Sequence, residues 1–450
     1  MFFPKSSLRQ GVAPREVFGW AAFDFANSGY TTVVLTAVYN AYFVNVVAGN
    51  ASWATLLWTV IIAVSSAIGM VVMPVIGTLA DAHAKKRSGL FIATVVCIAA
   101  TFGLTLTGEG TIVWAALMIV LSNLAFNIGE TLNSAFLPEI ASDEGVGKVS
   151  GWGWSFGYCG GLVTLGLSLL LVTFGPELWG LDFDGSVAGT LWITGIVFAV
   201  ATVPTFAWLK ERAVPKPDAP RAAALFSDSM ASLKKTASAL PQLKHFGRLT
   251  LTGFLNQCGV SVVITLSAVY ATAVMGFTLN DSILLVFLVN ITAAVGAFGF
   301  GYVEDKIGHK KSLMLTLWIW VAMIVVAATS EGVVQFWIAA NLAGIAMGSS
   351  QSAGRAMVAV LSPAARSAEF YGFWNMALWF ANIVGPLTYG AVTWVSGNNH
   401  RLAIAITGLF FLAAIVVLKT LDMEEGRREA LAFEKKVGWE RAPVKPVRLP

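Results

Sequence analysis

Long apolar runs broken by short polar stretches dominate the chain, and their lengths match the roughly 20 residues a helix needs to cross a bilayer core. Six runs fall at 18–47, 55–80, 88–106, 111–137, 151–174 and 189–209. Six more fall at 247–275, 282–303, 312–328, 333–361, 368–395 and 402–421. The pattern predicts twelve transmembrane helices. Between the two sets lies a polar stretch from Lys210 to His245 that contains Pro215, Pro217, Pro220 and Pro241. Within it, residues 222–240 read as a short amphipathic helix. The expected organisation is an N-terminal tail at 1–17, a six-helix bundle at 18–209, a linker at 210–246, a second six-helix bundle at 247–421 and a C-terminal tail at 422–450.

Composition turns this pattern into a statement about solvent. Of 450 residues, 56% are hydrophobic and 12% charged, the latter about half the share in soluble domains. A soluble enzyme of this size could not cover its surface with so few charges, and the mean hydropathy of +0.73 points to lipid. The net charge of +4 gives no reason to expect a nucleic-acid partner. The placement of the charges is more telling. With twelve helices, 27 of the 29 Lys and Arg residues fall on the side of the two tails, which predicts cytosolic termini by the positive-inside rule. The first fifteen residues show no apolar core followed by a cleavage site, so the N-terminus is expected to stay cytosolic.

Other chemistries find little support. Cys97, Cys159 and Cys258 sit in apolar runs at no metal or redox spacing and read as small packing residues. His83, His245, His309 and His400 fall in predicted loops, where each is expected to be solvated, so no metal site is expected. No phosphate-binding GxxxxGK[ST] loop is present, which argues against an ATP-driven pump, and no cofactor is implied.

The two halves echo each other. Gly77-x-x-x-Asp81 followed by Lys85, Lys86 and Arg87 recurs as Gly301-x-x-x-Asp305 followed by Lys310 and Lys311. Ser150-Gly151-Trp152 recurs as Tyr371-Gly372-Phe373. Two ordinary basic loops would account for the lysines alone. The matched Gly and Asp suggest a conformational latch, with glycine allowing close helix approach and aspartate capping a helix or holding a basic partner across a seam.

These loops resemble the motif of the major facilitator superfamily, seen twice. Gly19-Trp-Ala-Ala-Phe-Asp24-Phe-Ala-Asn27-Ser28-Gly-Tyr30, Leu137-Pro138-Glu139-Ile140, Gly157-Tyr158-Cys-Gly160-Gly161, Gln351-Ser-Ala-Gly-Arg355 and Ala368-Glu369-Phe370-Tyr371-Gly372-Phe373 look like the vacuole-effluxer-like family within it. The resemblance implies an all-α polytopic membrane protein with two pseudo-symmetric six-helix bundles, and helices 1, 4, 7 and 10 lining a central cavity. It also implies an association with amino-acid efflux. Relatives commonly carry an acidic residue near the start of the seventh helix. This chain reads Asn256-Gln257-Cys258-Gly259 there, so coupling through that carboxylate does not carry over.

An ionisable residue inside the bilayer costs about 2.5 kcal/mol or more near its centre and is a functional candidate for that reason. Asp24, Glu130 and Arg355 stand out, at similar depths on the tail-bearing side. Arg355 is expected to pair with Asp24 or Glu130 when the cavity is closed to the cytosol, either as a switch or as a static buried ion pair. Asn123, Asn127, Glu130 and Ser134 share one face of the fourth helix, as cavity lining or as interhelical hydrogen-bonding groups. Asn27, Tyr30, Asn256, Gln257, Gln351, Trp374 and Asn375 complete the expected substrate and coupling set, and Trp20, Tyr158 and Trp379 are further candidate lining aromatics.

The sequence therefore points to a secondary carrier, not an enzyme. It would act as a monomer, moving a small organic solute such as an amino acid by alternating access, with H+ or Na+ as coupling ion. A bacterial cytoplasmic membrane is the expected location and a vacuolar or lysosomal one the alternative. A sensor without flux and, further off, a polytopic membrane enzyme are the competing readings.

Overall fold

The computed structural model describes residues 4–49, 51, 53–213, 242–276, 279–397 and 399–436. The expected helix at 222–240 lies outside them. Twelve long helices run through the described residues: α1 Pro14–Tyr30, α2 Ala54–His83, α3 Lys86–Gly103, α4 Ile112–Ser134, α5 Val146–Trp179, α6 Phe183–Ala201, α7 Lys244–Met275, α8 Leu279–Ile307, α9 His309–Thr329, α10 Val333–Leu361, α11 Ser367–Val395 and α12 His400–Lys419. Ten spans are long and apolar enough to cross a membrane. α7 and α11 do not reach that apolarity over their described residues. Both carry interior amides, Asn256 and Gln257 on one and Asn375 and Asn382 on the other.

Three departures from the sequence pattern matter. α1 starts at Pro14, whose fixed φ suits a first helical turn. Asp24 is therefore ten residues into the helix, about 15 Å from its start and deeper than the pattern suggested. The same span continues to Val47 through two π-helical stretches, Thr31–Ala37 and Phe43–Val47. Finally, the C-terminal tail contains a helix, α13 Met423–Lys436, with Gly426, Ala430, Phe433 and Glu434 on its buried face. Asp422 starts it by accepting the amides of Glu424 and Glu425, bonds that hold its carboxyl below the usual range.

The helices pack as two related sets. α1 lies on α5 as α7 lies on α11, α2 on α4 as α8 on α10, and α3 on α4 as α9 on α10. The halves meet along two crossings, α2 with α11 and α5 with α8. Glycine makes each crossing tight. A Cβ on Gly77 would come 2.5 Å from the Ala368 carbonyl oxygen on α11, and one on Gly151 would come 2.5 Å from that of Ala297 on α8.

The described N-terminal segment and α13 pack at the same end of the bundle, around the connection between α4 and α5. Asp143 there pairs with Arg9 of the N-terminal segment and with Arg427 of α13. This basic end also holds His245, which is buried and not solvated as expected. Its Nδ1 accepts the Asp422 amide and its Nε2 lies 3.1 Å from Glu425, while its own amide donates to Glu429. A neutral ring with Nδ1 accepting carries its proton on Nε2, so the His245, Glu425 and Glu429 group ties α13 to α7 by hydrogen bonds. His309 is likewise bound to Glu304, and His400 to Tyr389.

If the two glycine crossings set the approach of the halves, Gly77→Leu and Gly151→Leu should each destabilise the purified protein by about 1–3 kcal/mol through overpacking. Thermal unfolding in detergent checks this. An unchanged midpoint in both variants would show that the crossings have slack.

Candidate functional site

Arg355 is the centre of the site. It stands six residues before the end of α10, is only 4% exposed, and reaches across to the other half of the molecule. Its Nη1 donates to Asp24 Oδ2 at 2.8 Å and lies 3.9 Å from Glu130 Oε1. Its Nη2 donates to the Ser150 carbonyl at 3.0 Å and its Nε to the Ser150 hydroxyl at 3.3 Å. The guanidinium also stacks over Trp20 and Trp154, 4.7 and 5.2 Å from the ring centroids. Of the two expected partners, Asp24 is the close one.

The carboxylates are held from behind. Asn133 donates to the second Asp24 oxygen at 2.8 Å, and Trp20 in turn donates to the Asn133 carbonyl. Asn27, one turn along α1, donates to Glu130 at 2.9 Å. Asp24 is almost fully buried, whereas the Glu130 side chain keeps 26% exposure. Asn133 is one of the amides that the sequence places around these charges, whereas nothing in the pattern points to Ser150 or Trp154 at this site. Ser150 was flagged only as part of the internal echo. Its role follows from the packing of α5 against α10.

The remaining expected residues divide. Asn375 joins α11 to Thr131 of α4 at 2.7 Å, a further link between the halves. Asn256, Gln257, Gln351 and Trp374 line one small pocket in the second half, and Gln257 donates to Asn382. Asn123 and Asn127 do not form part of the cavity wall described below. Asn123 donates to Ser65 of α2, and Asn127 to the Asn123 carbonyl, so the stripe on α4 is used for packing at that level. Tyr30 is fully buried with its hydroxyl on Ser122, away from the charges.

The paired motifs make matched contacts, with Asp81 and Asp305 in the last turns of α2 and α8 and not in loops. Asp81 accepts the amide of Glu369 in the first turn of α11, and Asp305 accepts that of Lys148 in the first turn of α5. Each aspartate therefore caps a helix of the opposite half, where the macrodipole favours negative charge. Gly301 lies beside the same turn of α5, as Gly77 does beside α11. The basic residues are less symmetric. Lys86 is buried against Asp81 and Glu139 and donates to Ser367 across the seam. Lys310 instead binds the last carbonyls of its own half at Lys419 and Leu421. Arg87 donates to the Phe206 carbonyl and its amide to Glu211, whose carboxyl burial pushes up. Lys85 and Lys311 are exposed.

Beyond the charges, toward the opposite end, lies a cavity of about 350 Å³. Thr31, Thr32 and Thr36 of the π-helical stretch line it from one side. One face of α10, from Phe336 to Gln351, lines it from the other. Arg355 is the next residue along that face, one turn below Gln351.

Two bundles with a charged floor beneath a central cavity define a membrane transporter of the major facilitator type. Residues 41–431 match the family model described as vacuole effluxer Atg22 like, and the chain belongs to that family. An uncharacterised MFS-type transporter of Bacillus subtilis, YxiO, is 24% identical over 88% of this chain and 93% of its own length. Autophagy-related protein 22 of Yarrowia lipolytica is 22% identical over 70% of this chain and 57% of its own length. Among solved structures, the human organic anion transporter MFSD10 superposes with a TM-score of 0.68 at 16% identity, covering 90% of this chain and all of that one. The proton:xylose symporter XylE reaches 0.66 at 17%, covering 95% and 98%. These two share the fold.

A buried ion pair that loses one partner leaves a stranded charge. Asp24→Asn should therefore destabilise the protein by about 3–5 kcal/mol, and adding Arg355→Gln should restore most of that loss. Unfolding of both variants and the double in detergent measures it. Additive losses would show that the two side chains are not one unit.

Proposed function

We propose that the protein is a secondary carrier for a small organic solute, coupled to H+, in which residues 18–209 and 247–421 rock as two bodies about the central cavity. The observation that carries this reading is the Arg355–Asp24 pair, which joins the halves beneath the cavity. The present arrangement is closed at the basic end. Lys86 to Ser367, Ser150 to Ser352, Asn375 to Thr131 and the two aspartate caps all cross the seam on that side. Opening there must separate Arg355 from Asp24. Glu130, close to Arg355 and partly exposed, is placed to take over the guanidinium or to receive a proton as the pair parts. A proton on either carboxylate weakens the closed state relative to the open one, which couples proton movement to the conformational change.

H+ is favoured over Na+ because both Asp24 oxygens and one of Glu130 face N–H donors, while Na+, like other hard cations, needs an oxygen cage. The basic end is assigned to the cytosol by the distribution of Lys and Arg. A bacterial cytoplasmic membrane is favoured by the Bacillus relative, which matches over nearly its whole length. Amino acids and related metabolites are the first substrates to try, on the strength of the family. The chain would work as a monomer, and the Asp81 and Asp305 loops would latch its closed state.

Counterflow of labelled solute in proteoliposomes tests this. The wild type should exchange, and Asp24→Asn, Glu130→Gln and Arg355→Gln should each abolish or uncouple it. Full, pH-sensitive activity in all three variants would refute the mechanism, and specific binding without any flux would make the protein a sensor.

A further inference from the structure

Among the described residues no charged side chain lines the cavity, so what happens there reaches the charges only through an intermediary. Two indoles stack with the Arg355 guanidinium, and they are held differently. Trp20 is fully buried and its N–H donates to the Asn133 carbonyl at 2.7 Å, which fixes the ring. Trp154 is only partly buried, and among the described residues no hydrogen bond ties its ring in place. It packs on Tyr158, one turn further along α5, with 6.0 Å between ring centroids, and both rings belong to the cavity wall. Of the described side chains that touch Arg355, Trp154 is the one that also lines the cavity.

The backbone that carries Trp154 runs directly against the ion pair. Ser150, one turn earlier on α5, binds Arg355 through its hydroxyl and its carbonyl. Gly153, the residue before Trp154, has no room for a side chain, because a Cβ there would run into Arg355 Nη2, Asp24 Oδ2 and the Trp20 ring. A cation is drawn to the face of an indole, most strongly where water is excluded, and the attraction fades as the ring withdraws. The position of the Trp154 ring therefore bears on how firmly Arg355 is held at Asp24.

We propose that Trp154 is the positioning residue through which a solute in the cavity acts on the Arg355–Asp24 pair. While its ring lies against Arg355 it favours the pair, and with it the closed basic end. A solute that presses on the ring draws it away and shifts the balance toward opening. The proposal rests on the carrier reading and names how its central site is regulated. Gly153 serves the same end by letting the α5 backbone lie against the pair.

The stack is tested first by thermal unfolding of the purified full-length protein. Trp154→Phe keeps an aromatic face, whereas Trp154→Met keeps apolar bulk without one. Trp154→Met should lower the midpoint, and Trp154→Phe should lower it by about half as much or less. In the Asp24→Asn, Arg355→Gln double background, Trp154→Met should cost well under its wild-type loss. Equal losses for Met and Phe, or a full loss without the ion pair, overturn the proposal. The link to the cavity is tested with a covalent occupant. Thr32→Cys, with Cys97, Cys159 and Cys258 replaced by alanine, puts one thiol in the cavity wall beside α5 at Gly161. Benzyl methanethiosulfonate, taken to completion by intact mass, leaves a benzyl disulfide there and releases methanesulfinate. Hydrogen exchange at the Glu369 and Lys148 amides, which Asp81 and Asp305 accept, should then quicken about threefold or more, and Trp154→Met should remove that response. Unchanged exchange, or the same response with and without Trp154, overturns the proposal. Neither measurement needs a transported solute, so counterflow keeps the two readings apart. A stack and a response without flux support the link and sink the carrier, whereas flux without the response sinks only the link.

Discussion

One buried cation organises the protein. Arg355 cannot leave the chain as a neutral group, and inside a membrane-spanning bundle its charge must be met by partners or it will destabilise the fold. Meeting it takes four helices from both halves: Asp24 from α1, Glu130 from α4, the Ser150 carbonyl and hydroxyl from α5, and α10 itself. The pairing is therefore a constraint on how the bundles sit against each other. Any conformation that opens the basic end has to find another arrangement for this charge.

The seams around the pair are built so that such a rearrangement is feasible. At Gly77 and Gly151 backbone meets backbone, without side chains to interdigitate. The bonds that cross there are few and polar: Asp81 to the Glu369 amide, Asp305 to the Lys148 amide and ammonium, and Lys86 to Ser367. Helix capping across a crossing is specific in geometry yet worth only about 1 kcal/mol per cap, so several can break together without unfolding either half. The asymmetry at the basic loops fits this division. Lys86 binds across the seam, while its counterpart Lys310 closes the end of α12 within its own half.

Much of the fold was legible in the chain because lipid leaves few options. A helix must satisfy its own backbone in hydrocarbon, so span count and division into halves follow from runs of apolar residues. The repeated Gly and Asp were legible for a similar reason, since a two-fold architecture asks the same of both loops. The site was legible in part. Asp24, Glu130 and Arg355 announced themselves by being ionisable where charge is costly, and Asn133 as one of the amides around them, but Ser150 and Trp154 did not, because serines and tryptophans are ordinary in such helices. Tyr30 and Asn123 look like cavity residues in a linear pattern and bond instead to neighbouring helices, at Ser122 and Ser65, while Asn127 bonds back to Asn123 on its own helix. Helical periodicity says which residues share a face and not what that face meets.

By itself, the sequence determined that the chain lives in a membrane, that it spans it as two related sets of helices, and which three charges lie within the spans. Those conclusions depend on hydrophobicity and residue type, which are properties of the chain before it folds. Only the tertiary structure decided that Arg355 takes Asp24 as its close partner, that the halves are closed at the basic end, and that the cavity above the charges has an uncharged wall. Each of these depends on contacts between helices far apart in sequence, and a few ångströms of rotation about a helix axis would have given a different answer.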